Sequence, residues 1–316
     1  MLTGIIAGIT WALETVILGL ALGMTPLVST EQAIFLAPFI STFLHDACSG
    51  LFLLIYNVIR GKAGELFGVF KSSGLKWLIL ASAIGGPIGM TGYALAVNYM
   101  GASVGAVASA VYPAIGTVLA YIFLKESVKW YQWIFLACTL LGVYGLSYSP
   151  NLNVENFWLG LLGAFMCAFG WGIEAVILAK CLKDPAIKNE YALNIRQLTS
   201  ALIYGLLIVP VLGGWKFTVG LFSGSTGLLL PTIAAAALCA TVSYLFYYKT
   251  IAGVGASKAM ALNITYTAWA IAFTVIILRD FSVLNPFTLF CAAVVVVCGI
   301  LAATDMKELV GKGKKG

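Results

Sequence analysis

Charge is what this sequence has least of. Asp, Glu, Lys and Arg together make up 9% of its 316 residues, against roughly a quarter in soluble domains, whose surfaces must be solvated. A chain of this length without a polar shell cannot present its outside to water, so a soluble enzyme or nucleic-acid-binding domain is excluded. Histidine occurs once, at His45. Seven cysteines (Cys48, Cys138, Cys167, Cys181, Cys239, Cys291 and Cys298) form no CxxC pair and read as small apolar packing residues. Neither a His/Cys metal cluster, a nucleophile elbow nor a glycine-rich phosphate loop is present. No catalytic residue, metal or cofactor is therefore expected.

What the chain has instead is apolar length. Hydrophobic residues make up 61% and the mean hydropathy is +1.00. Ten apolar runs have the length a helix needs to cross a bilayer: 2–24, 33–59, 76–98, 101–123, 130–148, 157–180, 189–212, 227–250, 256–278 and 284–304. Backbone groups must be satisfied internally in hydrocarbon, so these runs are read as helices. The first has no basic n-region and no small-residue cleavage site, and is read as a retained helix. Thirty-four glycines suit helices that approach closely where lipid supplies little drive for association. With both termini in the cytoplasm, fifteen basic residues fall inside, including a short basic tail, and only Lys216 and Arg279 fall outside. That bias sets the orientation.

The chain repeats itself. Trp11-Ala-Leu-Glu14-Thr-Val-Ile-Leu18 returns as Trp171-Gly-Ile-Glu174-Ala-Val-Ile-Leu178. Tyr93, Gly101-Ala102-Ser103, Tyr112 and Leu124-Lys125-Glu126 return as Tyr247, Gly255-Ala256-Ser257, Tyr266 and Leu278-Arg279-Asp280, at a constant offset of 154 residues. Two matches in one order argue for duplication. Each half, 1–150 and 151–316, holds five spans. An odd number inverts the second half relative to the first, so the expected fold is an all-α integral membrane protein of ten transmembrane helices in two inverted repeats. Such repeats are the signature of secondary transporters with a site near the midplane.

Buried charge costs several kcal/mol in a membrane and marks function. Glu14, Asp46, Glu174 and Arg196 lie within spans, with His45 beside Asp46. Three carboxylates against one guanidinium favour a cation or a proton. Glu174 and Arg196 stand at similar distances from one hairpin turn, so pairing between them is the plain alternative; for His45 and Asp46 it is a hydrogen-bonded dyad. Trp11 with Glu14 and Trp171 with Glu174 are three residues apart and share a helix face. Asn263, Tyr266 and Trp269 make a further stripe, with Tyr112 the repeat partner of Tyr266. Tyr112, Tyr266 and Trp269 fall near span centres, away from the interfacial belt where membrane Trp and Tyr commonly sit. Tyr93 and Tyr247 fall nearer the ends and read as belt residues. Tyr244 and Tyr248 share one face and join the candidate cage. Aromatic faces with a carboxylate suit a quaternary ammonium, which donates no strong hydrogen bond and is held by ring quadrupoles.

Several stretches resemble a known family: His45-Asp46, Gly86-Pro87-Ile88-Gly89-Met90, Ser109-Ala110-Val111-Tyr112-Pro113-Ala114, Trp171-Gly172-Ile173-Glu174, Ile195-Arg196-Gln197, Ser243-Tyr244-Leu245 with Tyr247-Tyr248, and Leu262-Asn263 with Tyr266 and Trp269. Together with the ten-span plan they look like the drug/metabolite transporter (EamA) superfamily, nearest its Lic-type bacterial choline permeases. The resemblance implies choline uptake across the bacterial cytoplasmic membrane. Substrate-binding candidates are Trp11, Glu14, Tyr112, Trp171, Glu174, Tyr244, Tyr248, Asn263, Tyr266 and Trp269; His45, Asp46 and Arg196 form the charge network. Either Glu14 or Glu174 is the counter-ion, and uniport and proton coupling both stay open. The expected partners are the small cation and the bilayer, with no nucleic acid, in a monomer or homodimer. Efflux of cationic drugs or amino acids is the rival within the superfamily. An intramembrane lipid-head-group enzyme is the rival outside it, and it lacks any visible nucleophile or metal constellation.

Overall fold

The structure, a computed structural model, describes residues 1–148, 154–224 and 226–305, with side chains at 102–104 outside that description. The expected boundary at 150/151 and the tail lysines therefore lie outside the described residues. The helices are α1 (Leu2–Leu22), α2 (Glu31–Ile59), α3 (Leu75–Met100), α4 (Ala102–Leu119, continued by the wide turn Ala120–Leu124), α5 (Trp130–Ser147), α6 (Phe157–Cys181), α7 (Asn189–Val211), α8 (Leu229–Val254), α9 (Ala256–Leu278) and α10 (Pro286–Ala303). Among the described residues nine helices are long and apolar enough to cross a membrane. The exception, α5, opens on Trp130-Tyr131-Gln132-Trp133, too polar a first turn to count on the same scale.

Helix starts follow cap chemistry. Thr30 Oγ1 accepts from Ala33 N–H at 3.0 Å, Asn156 Oδ1 from Leu159 N–H at 3.1 Å and Asn285 Oδ1 from Thr288 N–H at 2.9 Å, the last with Pro286 at the first helical position. Outward faces carry bare Leu, Ile, Val and Phe such as Leu206, Val211 and Phe290, as hydrocarbon requires. The chain is a multi-pass membrane protein.

The ends of the helices sort onto two faces. Met1 Sδ accepts from Thr304 Oγ1, Gln132 Nε2 donates to Thr304 O, and Lys62 pairs with Glu190, all on one face. On the opposite face Glu155 N–H donates to Tyr99 O at 2.9 Å.

The packing between helices is reciprocal. α1 packs chiefly on α8 and α9, while α6, which repeats the α1 motif, packs on α3 and α4. α2 packs with α7, and α5 with α10. Backbone irregularities match as well. Wide π-type turns occupy Ala120–Leu124 and Thr274–Leu278, and each ends on a left-handed residue, Lys125 and Arg279, both at φ 56°. Two further π-type turns, Ile84–Gly89 around Pro87 and Tyr204–Ile208 before Pro210, bend α3 and α7. Proline removes a ladder donor and such insertions kink a helix.

Candidate substrate site

The site is built where α9 breaks. Its ladder is interrupted at Ile264–Thr265, between Ala256–Asn263 and Tyr266–Phe273. Asn263 ends the first segment, and its Nδ2 donates to Tyr112 Oη at 3.0 Å. Tyr112 precedes Pro113 within the continuous α4, so helices from both halves of the sequence meet at one bond. Tyr266 Oη lies 3.2 Å from Ser109 Oγ, a second tie between the same two helices.

Rings close around this point. Trp11 meets Tyr244 edge-on at 4.8 Å and Tyr266 at 6.5 Å. Tyr112 meets Trp171 edge-on at 5.8 Å, and Tyr93 stacks on the same indole at 6.1 Å. Trp171 is fixed by its Nε1–H, which donates to Gly85 O at 3.0 Å. Trp11, Tyr112, Trp171, Tyr244 and Tyr266, with Glu174, Ala175, Leu178, Ser243, Tyr247, Tyr248 and Asn263, line a tight chamber of about 40 Å³. A vestibule of about 250 Å³ joins it along the second half of α1, lined by Glu14, Leu18, Leu22, His45, Asp46, Tyr93 and Arg196. Trp11, Trp171, Tyr244 and Tyr266 line both spaces.

Small residues make the room. A Cβ at Gly85 would collide with the Glu174 carboxylate, and one at Gly89 would stand 2.7 Å from the Trp171 ring. The kinked, glycine-bearing turn of α3 is therefore the mould in which both side chains sit.

The buried charges form a chain. Glu14 Oε1 faces His45 Nε2 at 3.6 Å, beyond hydrogen-bond range. His45 Nδ1 meets Asp46 Oδ1 at 3.0 Å. Arg196 Nη1 reaches Asp46 Oδ2 at 3.4 Å, and its Nε donates to Glu174 Oε1 at 3.0 Å. The guanidinium lies 5.1 Å from the centre of the Tyr244 ring and also donates to Gln197 Oε1 at 2.6 Å. Gln197 Nε2 in turn donates to Ser49 Oγ, which meets Thr241 Oγ1 at 2.7 Å. The chain thus runs from the vestibule, at Glu14, to the chamber, at Glu174.

Twelve of the thirteen candidates converge here. Trp269 does not; it is half-buried on α9 and lines neither space. Two tyrosines read as belt residues belong to the site. Because α3 runs on to Met100 and α8 to Val254, Tyr93 and Tyr247 stand about two turns inside their helices. Ala175 and Leu178, four residues beyond Trp171 and Glu174, were missed although the helical period puts them on the same face.

The sequence profile of the EamA-like transporter family matches residues 1–148. The match ends at Tyr148, just beyond α5. Over 289 residues the chain is 28% identical to Protein LicB of Haemophilus influenzae, covering 91% of each. The fold superposes on a solved crystal structure with a TM-score of 0.72 at 16% identity, covering all of this chain and 98% of that one. The profile match and the likeness to LicB agree with the drug/metabolite transporter superfamily and a Lic-type relation.

Proposed function

We propose that this protein imports choline, or a closely related quaternary amine, across the bacterial cytoplasmic membrane by alternating access. The observation that carries the reading is the chamber: rings from α1, α4, α6, α8 and α9 surround a space with one carboxylate, Glu174, in its wall. A trimethylammonium group is held by ring faces at about 0.5–2 kcal/mol each when desolvated. The charge chain has the matching sign. Glu14, Asp46 and Glu174 outnumber Arg196 three to one, so a bound cation meets surplus negative charge. Glu14 faces the vestibule and Glu174 the chamber. The cation passes from the first to the second.

The reciprocal packing of α1 and α6 and the paired turns at Lys125 and Arg279 support two inverted five-helix halves, 1–150 and 151–316, with both termini cytoplasmic. Those halves rock about the chamber. An inside-negative potential contributes about 2.3 kcal/mol per 100 mV to the entry of one positive charge. His45 and its carboxylate neighbours are the groups that would couple a proton to that entry. Purified protein in proteoliposomes with an imposed inside-negative potassium diffusion potential should accumulate radiolabelled choline. The neutral tert-butyl isostere, 3,3-dimethylbutanol, should compete poorly. Equal competition by the isostere overturns the cation reading.

A further inference from the structure

One carboxylate outside the chamber bridges the two halves of the sequence. Glu126 follows the left-handed Lys125 at the end of α4. Its Oε1 accepts from Ala256 N–H at 2.8 Å, and its Oε2 accepts from Ser257 N–H at 3.0 Å and Ser257 Oγ–H at 2.7 Å. Three donors at the start of α9 are satisfied by a side chain from the other repeat, on the face that carries Met1 and Thr304. The backbone is shaped for it. Gly255, at φ 93°, precedes the helix, and a Cβ there would stand 2.8–3.0 Å from the Glu126 carboxylate. Only glycine leaves the seat open, on grounds of both conformation and space.

The repeat supplies the same parts at the opposite face. Asp280 follows the left-handed Arg279 at the end of α9, and Gly101, at φ 86°, precedes α4. Among the described residues nothing takes that seat. Asp280 is exposed, and among those residues its Oδ1 accepts from Ser282 N–H and Oγ–H in its own turn. A Cβ at Gly101 would meet nothing within 4 Å among the described residues. One symmetric device is engaged at one end and open at the other. A cavity of about 250 Å³ beside Glu126 is lined by Thr117, Gln132, Leu136, Ser257, Lys258 and Ala302. Thr117 Oγ1, buried there, has no hydrogen-bond partner.

We propose that Glu126 and Asp280 are reciprocal latches of the transport cycle. Glu126 on the start of α9 holds the termini-bearing face shut. In the opposite state it lets go, and Asp280 takes the N–H groups at the start of α4. The inference rests on the alternating-access reading but not on choline as the cargo.

The test needs no substrate. Leu178, which lines the chamber and is 1% exposed, is changed to Cys as a reporter. Vesicles of both orientations are treated with a membrane-impermeant thiosulfonate, and labelling is read peptide by peptide. Adding Glu126→Ala should raise labelling of Leu178→Cys at least fivefold from the termini-bearing face only, and Glu126→Gln, which keeps one acceptor oxygen, should raise it less. Asp280→Ala should give no increase from that face. Native Cys167, 0% exposed, must stay unreactive in each variant, which separates an opened gate from an unfolded chain. Should Glu126→Ala label Cys167 as well, Ser257→Ala carries the test, with an increase of about twofold expected. Unchanged labelling in folded Glu126→Ala, or the same increase in Asp280→Ala, overturns the proposal. Failure of choline uptake with these labelling results intact would overturn the cargo alone.

Discussion

Arg196 Nε donates to Glu174 Oε1 at 3.0 Å while Nη1 of the same guanidinium reaches Asp46 Oδ2 at 3.4 Å. One cation on α7 therefore serves two acids, one on α6 and one on α2. Its two ion pairs are 2–11% exposed at the side chains, so their loss is not relieved by water.

Removing the shared partner should cost more than removing either acid. Arg196→Gln leaves Glu174 without its cation and Asp46 with His45 alone, and should destabilise the protein by about 3 kcal/mol or more, since breaking a buried pair strands a charge. Glu174→Gln leaves Arg196 with Asp46 and should destabilise it less. Adding Glu174→Gln to Arg196→Gln should return part of the loss. Thermal unfolding of the four proteins in detergent closes this cycle. Equal losses in the two single variants would show that Arg196 is not shared.

Cation recognition by ring faces makes a different demand. Trp171→Ala and Tyr266→Ala should each weaken choline binding by at least ~1 kcal/mol, about fivefold. Tyr266→Phe keeps the ring and loses only the contact with Ser109 Oγ, so most of the affinity should remain. Calorimetric titration of purified protein reads this directly. Unaltered affinity in both alanine variants, with unchanged melting temperatures, would assign the rings to packing.

The mould for those side chains is equally testable. Gly85→Ala places a methyl group against the Glu174 carboxylate, whereas a Cβ at Gly220 meets nothing within 4 Å. Choline affinity should fall at least tenfold in Gly85→Ala and stay within twofold of the parent in Gly220→Ala. If Gly85→Ala binds normally, Glu174 has room to move and α3 is not its mould.

Much of this arrangement was legible beforehand, for identifiable reasons. The span limits followed from apolar length, because lipid imposes one solution on backbone hydrogen bonding. The Glu174–Arg196 pairing was readable because both residues flank one hairpin turn, so their separation is local. The sharing of Arg196 with Asp46 was not, since α2 and α7 meet only through tertiary packing 150 residues apart in sequence. Tyr93 and Tyr247 were misplaced because α3 and α8 extend past their apolar cores to Met100 and Val254. Trp269 illustrates the opposite limit. Its i, i+3 spacing from Tyr266 predicts a shared face, but it lines neither cavity.

His45 is the group on which a pH response should turn. It lies between Glu14 of α1, at 3.6 Å from Nε2, and Asp46 of α2, at 3.0 Å from Nδ1, with Arg196 of α7 beyond Asp46. An imidazole is the side chain whose ordinary charge change falls between about pH 5 and 8. A proton gained there alters the vestibule's balance against an entering cation without touching the rings of the chamber. His45→Gln keeps a hydrogen-bonding group of similar reach and removes the titration. Uptake by the parent should vary across that pH range, and His45→Gln should flatten the profile. Choline affinity at neutral pH should change less than twofold, because the chamber is lined by other residues. A His45→Gln profile that keeps the parent's shape would move the proton step to the carboxylates Glu14 and Asp46, and Glu14→Gln is then the variant whose profile should flatten.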